Sequence, residues 1–347
     1  MVFSKPLSYP NVEILIRFLD PSLRFRLSRQ CPSIRSCEKK HPFILKFLAL
    51  NKHSITLNAT SYQLAIFQDS DIPLELPFDV DVRGSRDMNL VVEKRREEIL
   101  IDGRFHRFHR FNGQNPVSPG AAQCNQFIQL TVGSYIERMM YSRKLHDALF
   151  YMIKKLLVGK LSIKAHKFCL RSSGILRIPQ SLKIQTKHVQ LEGPHIEQLL
   201  KVLPFLLDTG GTPLSSFTFS ETLVTTEKLD FDIVRTAGIL IFQWSTLINL
   251  FDLRHRRVYF KRVGLEFILQ VIRNFLEHGR DFDTHYSFEG INEQAIFKAL
   301  ELQTRVYKEI RHNCVTFYKE NFMDIVVSYN VNTCILDVKV QRQEFFV

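Results

Sequence analysis

Cysteine is scarce in this sequence, long apolar runs are missing, and the short motifs that mark most enzymes do not occur. The six cysteines, Cys31, Cys37, Cys124, Cys169, Cys314 and Cys334, are too scattered for a C-x-x-C zinc module and too few for a disulfide framework. They read as small buried hydrophobes. No stretch of about 18 uninterrupted apolar residues exists, which excludes a membrane-spanning helix. The opening MVFSKPLSYP lacks the apolar core of a secretory signal. We expect a protein of the cytosol or nucleus, with no membrane partner.

No G-x-S-x-G elbow, H-E-x-x-H helix or phosphate loop is present. Gly210-Gly211 has no G-K-[ST] behind it and reads as a helix C-cap or turn. The twelve histidines are dispersed; His106 and His109, at i, i+3, need further ligands from a loop folded around them to hold a metal. Asp281-Phe282-Asp283, beside His285, reads as a solvated loop ahead of a strand. The expectation is therefore no catalytic residue, no metal and no cofactor: a binding protein rather than an enzyme.

What the chain does have is the composition of a globular protein, 347 residues with 45% hydrophobic and 24% charged, enough for one large domain and a small one. Lys and Arg number 47 against 35 Asp and Glu, so the formal net charge is 47 − 35 = +12. No compact basic block accounts for it, which fits basic residues spread over solvated faces and leaves an acidic partner open.

The N-terminal stretch YPNVEILIRFLDPSLRFRLSRQCPSI is the most structured by pattern. Val12, Leu15, Ile16 and Leu19 recur at i, i+3, i+4, i+7 behind Asn11, which predicts a capped amphipathic helix. Asp20-Pro21 ends it and opens a second helix carrying Leu23, Phe25 and Leu27, stopped at Cys31-Pro32. A third apolar helix is expected over Phe43, Ile44, Phe47 and Leu48. Helices this short cannot bury their own apolar faces, so they must dock on the rest of the chain or on another protein.

The spacing Leu7, Leu15-Ile16, Leu19-Asp20-Pro21, Arg26-Leu27-Ser28 and Cys31 resembles the F-box, the helical module that docks on the Skp-type linker of cullin-RING ubiquitin ligases. KPLSYPNVEILIRFLDPSLRFRLSRQCPSIRSCEKKHPFILKFLAL with ITLNATSYQLAIFQD is similar to a nematode-expanded F-box-like family defined by a domain of unknown function. ALFYMIKKLLVGK, LRIPQSLKIQTKHVQLEG and LPFLLD extend that resemblance over most of the chain. Ser8, Pro10, Leu23-Arg24 and Ile34 stand where the F-box usually has Pro, Glu, Asp-Leu and Trp. The resemblance implies a Skp-type linker as partner, with Leu7, Leu15, Ile16, Leu19, Leu23 and Leu27 as apolar anchors.

Ile55-Thr56-Leu57 and Tyr62 to Ile66, around Asn58-Ala59-Thr60, alternate like a β-hairpin. Residues 83–123 are charged and poorly periodic, a linker segment with a transient helix over Val91 to Ile99. Within it, RFHRFHRF at 104–111 interleaves Phe105, Phe108 and Phe111 with Arg104, Arg107 and Arg110. That pattern offers stacking faces and phosphate contacts to single-stranded nucleic acid, but an irregular loop tucked on the main domain is preferred.

Beyond it, Val189-Leu191, Phe217-Phe219, Leu240-Phe242, Val258-Phe260 and Tyr286-Phe288 read as short strands at intervals of about 20 to 30 residues. Between them lie helices striped by Ile196, Leu199, Leu200 and Leu203; by Leu265, Ile268, Leu269, Ile272 and Phe275; and by Ile296, Leu300 and Leu302. Gly264 and Gly279 bound the second. Val315-Phe317, Asp324-Ser328 and Ile335-Val340 read as closing antiparallel strands.

The expected fold is thus α/β: an F-box-like helical hairpin (1–50), a small β-hairpin and connector (51–82), the linker segment (83–123), and an irregular leucine-rich-repeat-like strand-helix array with a parallel sheet and C-terminal strands (124–347). A doubly wound sheet is the alternative. Arg254, Arg256, Arg257, Lys261 and Arg262 flank one strand as the densest cationic patch, suited to an acidic protein partner or to solvated edge charges. The expected function is a non-catalytic interaction adaptor, a substrate-recognition subunit of a ubiquitin ligase. The alternative is a stand-alone module that binds an acidic partner or single-stranded nucleic acid.

Overall fold

The computed structural model describes residues 9–68, 93–94, 98–101, 126–140, 145–171, 176–193, 196–220, 231–243, 253, 255–303, 308–311, 313–319 and 323–342. The chain is mixed α/β and forms two compact units, one of residues 1–187 with 193–211 and one of residues 188–192 with 212–347. Among the described residues no helix is long and apolar enough to cross a membrane.

The first unit opens with helices α1 (Tyr9–Phe18), α2 (Pro21–Gln30) and α3 (Pro32–Lys40). Asp20 caps α2: its Oδ1 accepts from the Ser22 amide at 2.9 Å, and Pro21 sits in the first turn, where its missing amide is not needed. Three expectations change here. Asn11 lies inside α1 rather than capping it, because Pro10 suits a first turn and the helix begins earlier. Cys31-Pro32 does not end the helical region but starts α3, with proline again in the first turn and Cys31 extended at φ −128°. Phe43 to Leu48 is no helix; it belongs to strand β1 (Phe43–Asn51). A short apolar run fits either period, and two flanking partners decide in favour of the strand.

Those partners are β2 (Ser54–Leu57), antiparallel, and, further along the chain, β8 (Ile163–Arg171), parallel. β2 turns through Asn58-Ala59 into β3 (Thr60–Gln68), the expected hairpin. Asn58 adopts φ +54°, tolerable for asparagine, and its Oδ1 accepts from the Lys46 and Phe47 amides at 2.8 and 3.3 Å. β4 (Glu93–Lys94) and β5 (Glu98–Ile101) replace the helix expected at 91–99. There the Ile-Leu-Ile of β5 pairs with Leu176, Arg177 and Ile178 of β9 (Leu176–Pro179). The rest of 83–123, RFHRFHRF included, lies outside the described residues.

β6 (Gln126–Val132) and β7 (Tyr135–Met140) form a further hairpin on β3, followed by α4 (Leu145–Leu157). After β8 and β9 come β10 (Ile184–Glu192) and α5 (Ile196–Leu206). The unit's main sheet runs β8-β1-β2-β3-β6-β7, with residues 184–187 of β10 beside β8. Its core includes Leu45, Leu48, Ile55, Leu149, Ile153 and Phe168, all essentially inaccessible.

The second unit begins with residues 188–192 of β10. It continues through β11 (Ser216–Phe219), the short α6 (Asp232–Arg235), β12 (Leu240–Phe242), β13 (Arg257–Phe260), α7 (Leu265–His278), β14 (His285–Glu289) and α8 (Glu293–Gln303). β15 (Lys308–Arg311), β16 (Cys314–Lys319), β17 (Met323–Asn330) and β18 (Ile335–Arg342) follow. β10 to β14 pair parallel in chain order, as the apolar-x-apolar runs predict. An order without reversal is not that of a doubly wound sheet. β18 then pairs antiparallel to β14, and β17, β16 and β15 follow antiparallel.

Register stacks a phenylalanine on each of four successive strands, flanked by a leucine on either side. Leu191, Phe219, Phe242, Phe260, Phe288 and Leu336 are successive partners. The rings of Phe219, Phe242, Phe260 and Phe288 lie 5.3, 5.3 and 5.2 Å apart, within 18° of parallel. A second row, Val189, Phe217, Leu240, Val258, Tyr286 and Val338, shares that face and is buried with it. α7 covers them, Phe267 edge-on to Phe260 and Phe275 edge-on to Tyr286. Gly264 and Gly279 cap α7, the latter at φ +71°, open to glycine without strain.

Candidate functional site

Two places gather groups capable of recognition, one in each unit. In the first, α1 and α2 both pack on α3, and the inner side of α2 is held to α3 by a buried charge cluster. Arg24 of α2 is 2% exposed; it donates to the Glu38 and His41 carbonyls at 2.9 and 3.2 Å and to that of Pro42 at 3.2 Å. Its Nε lies 3.3 Å from Glu38 Oε1, an oxygen that Lys160, ahead of β8, also contacts. Phe25 and Phe43 pack ring to ring at 5.3 Å, with the Lys160 ammonium 5.0 Å over the first and Arg24 5.2 Å over the second. Burial lowers both cations' pKa values, and the Glu38 carboxylate opposes that shift.

The outer sides of α1 and α2 carry apolar groups into solvent: Ile14 is 58% exposed, Leu15 41% and Leu23 42%. Of the six anchors named from the sequence, Leu15 and Leu23 face out, Leu19 and Leu27 are half-buried, Ile16 is buried in the core, and Leu7 lies outside the described residues. Ile14 is the outward residue that sequence reasoning passed over. Ile14 falls beside the Val12, Leu15, Ile16, Leu19 stripe, of which Ile16 is buried and Leu15 turns outward.

In the second unit the sheet face opposite the phenylalanine row is polar. Gln190, Thr218, Ile241, Tyr259, Ser287 and Asp337 are successive partners across it. Gln190 Nε2 donates to Ser220 Oγ at 2.9 Å, and Tyr259 to Glu289 Oε2 at 3.1 Å. Burial, with the Glu289 carboxylate behind it, pushes the Tyr259 phenol up to about 12. His285 Nε2 and Ser287 Oγ both meet Asp337 Oδ1, at 2.8 and 2.6 Å. Burial raises the Asp337 carboxyl, but these bonds and the His285 and Lys339 charges outweigh it and leave the group below its ordinary value.

Serine, histidine and aspartate in contact invite a catalytic reading, and the geometry argues against it. A nucleophilic serine needs the imidazole between it and the carboxylate, one ring nitrogen for each. Here Ser287 and Asp337 share Nε2, and the serine donates directly to the acid, a satisfied network with no base free to accept its proton. Asp281 and Asp283 are exposed, as a solvated loop should be.

The cationic patch is divided. Arg256 and Arg257 precede or begin β13, and Lys261 and Arg262 follow it, all exposed. At about 3.3 Å per residue that leaves the two pairs roughly 13 Å apart or more. Arg257 is 3.6 Å from Asp283, and Arg254 lies outside the described residues. The cysteines also divide: Cys37 and Cys169 are buried as expected, Cys31 and Cys314 are half-buried, and Cys334 is exposed at a turn. Cys37 and His41, four residues apart, meet Glu13 of α1 in the one cluster of metal-ligating types among the described residues.

Residues 144–292 match the model of a family described as a domain of unknown function, DUF3557. No curated protein matches the chain. No solved structure matches it.

Proposed function

We propose that the chain is a non-catalytic interaction adaptor in which α1 to α3 form an F-box-like module that docks on a Skp-type linker. The strand-helix units from β10 onward, a leucine-rich-repeat-like array, present the surface that recognises a target. The observation that carries this reading is the outward placement of Leu23 on α2, whose inner side is locked by Arg24, Glu38 and Lys160, together with exposed Ile14 and Leu15 on α1, which packs on α3. A rigid display of a few exposed apolar side chains is what a small helical docking surface needs, because little ordering entropy is lost on binding. The F-box spacing of the same residues supports it. So does the similarity to the nematode-expanded F-box-like family, whose downstream stretches from Ala148 to Asp208 fall within the matched residues 144–292. The polar strand face supports the second half, since it carries fixed donors and acceptors but no activated nucleophile.

Capture of the purified chain by a Skp-type linker tests the reading at low and high salt. Capture is expected to resist salt and to weaken at least about tenfold in Leu15→Asp/Leu23→Asp, whose exposed positions leave the fold intact. Absence of capture sinks it. Capture that collapses with salt points instead to a charge-driven module for an acidic partner or nucleic acid.

A further inference from the structure

Near the C-terminal end of α3, Cys37 and the helix-terminating His41 face Glu13, which reaches over from α1. The Glu13 carboxylate, the Cys37 thiol and the His41 ring offer ligand atoms all within 4.8 Å of one another. Cys37 is fully buried, and the His41 side chain is nine-tenths buried at 9% exposure. His41 Nε2 makes no hydrogen bond, and Glu13 Oε1, 3.8 Å away, is beyond hydrogen-bond reach. A buried polar atom left without a partner is costly, and this one is set beside a thiol and a carboxylate.

We propose that Glu13, Cys37 and His41 bind one divalent transition cation of the zinc type, which clips α1 to α3. Thiolate, imidazole and carboxylate together suit a cation of borderline softness and exclude calcium and magnesium, which take oxygen ligands. The two anionic ligands neutralise a 2+ ion, so the buried centre carries no net charge. Tetrahedral bonds of 2.0–2.3 Å hold ligand atoms about 3.4 Å apart, so atoms within 4.8 Å of one another close by at most about 1.4 Å, within the reach of side-chain rotation. Glu13, a third exposed, marks the side from which the ion enters and where water completes the coordination. The clip is independent of whatever the outer sides of α1 and α2 bind.

Cobalt(II) titrated into the full chain, stripped with chelator and held reduced, tests the site. One equivalent is expected to bind with a thiolate-to-cobalt charge-transfer absorption, displaced by equimolar zinc and lost in Cys37→Ser. Glu13→Gln, at a position open enough to leave the fold unchanged, is expected to weaken cobalt binding at least about tenfold. It keeps the test decisive if Cys37→Ser does not fold. No thiolate band, a band that survives Cys37→Ser, or unchanged affinity in Glu13→Gln overturns the proposal.

Discussion

Glu38 is a single carboxylate shared by two cations, Arg24 and Lys160, in a place where water does not reach. Removing it leaves two buried positive charges facing one another, so Glu38→Gln should destabilise the chain by about 3–5 kcal/mol in urea denaturation. Lys160→Met leaves the Arg24 pair intact and keeps the stem's packing on Phe25 and Phe43, so it should cost about 1 kcal/mol or less. Equal losses from the two would contradict the shared-carboxylate account. His53, in the turn between β1 and β2, behaves differently. Burial and then the Lys52 charge hold its pKa down to about 4, against an ordinary 6.5. The unfolded chain therefore binds a proton at pH 6.5 and the folded chain does not until about pH 4. Stability from this group is present above pH 6.5 and is lost as pH falls through that window. His53→Gln should flatten the decline in denaturation midpoint between pH 7 and pH 4.5. At this scale the sequence misleads most: nothing in its pattern places Arg24 inside, since an arginine between Leu23 and Phe25 on a short helix reads as a solvated charge. The cysteines are too scattered in the sequence to suggest a metal site, and Glu13, Cys37 and His41 come together only once α1 lies on α3.

The elements of the second unit rest on one ring per strand, stacked through four strands. Phe242 sits between two of the others, on a strand of three residues. Phe242→Ala should therefore cost about 3–5 kcal/mol in denaturant midpoint analysis, more than the same change at half-buried Phe267. Gly238, just ahead of β12, is held for a different reason: a Cβ there would lie 2.9 Å from the Ser215 carbonyl oxygen. Gly238→Ala must push β11 and β12 apart and should lower stability by about 1–3 kcal/mol; an unchanged melting temperature would show that the backbone yields freely. These strands were legible because each is an apolar-x-apolar triplet isolated by polar chain, with period 2 and nothing to suggest period 3.6. The helices between them were legible from four or five apolar residues on one stripe. β1 was not, because Phe43-Ile44 and Phe47-Leu48 satisfy the helical period over so short a run. α3 was hidden by reading Pro32 as a stop, when a proline in a first turn equally begins a helix. β6 and β7 carry too many polar residues for their alternation to stand out.

The chain's formal charge is +12, and among the described residues the basic pairs named from the sequence sit at the two ends of β13. The pairs at the two ends of β13 should act independently on polyanion binding. Charge reversal at Lys261 and at Arg257 should each lower the salt needed to elute the chain from heparin, and together by the sum. A combined effect far above the sum would mean one continuous patch. Of the described recognition residues named from the sequence, Leu15, Leu23 and the basic residues flanking β13 are the ones that are exposed. Which of the leucines turn outward, and that the arginines separate, depended on packing that no pattern records. The join between β14 and β18 has a consequence for how the protein is made. β14 begins at His285, but its second partner begins at Ile335, so 335 − 285 = 50 residues of further synthesis separate them. At about 5–20 residues per second, β14 waits several seconds on the ribosome with one edge unpaired. His285, Ser287 and Glu289, alternating along that strand, keep one of its faces hydrophilic while the edge waits for β18.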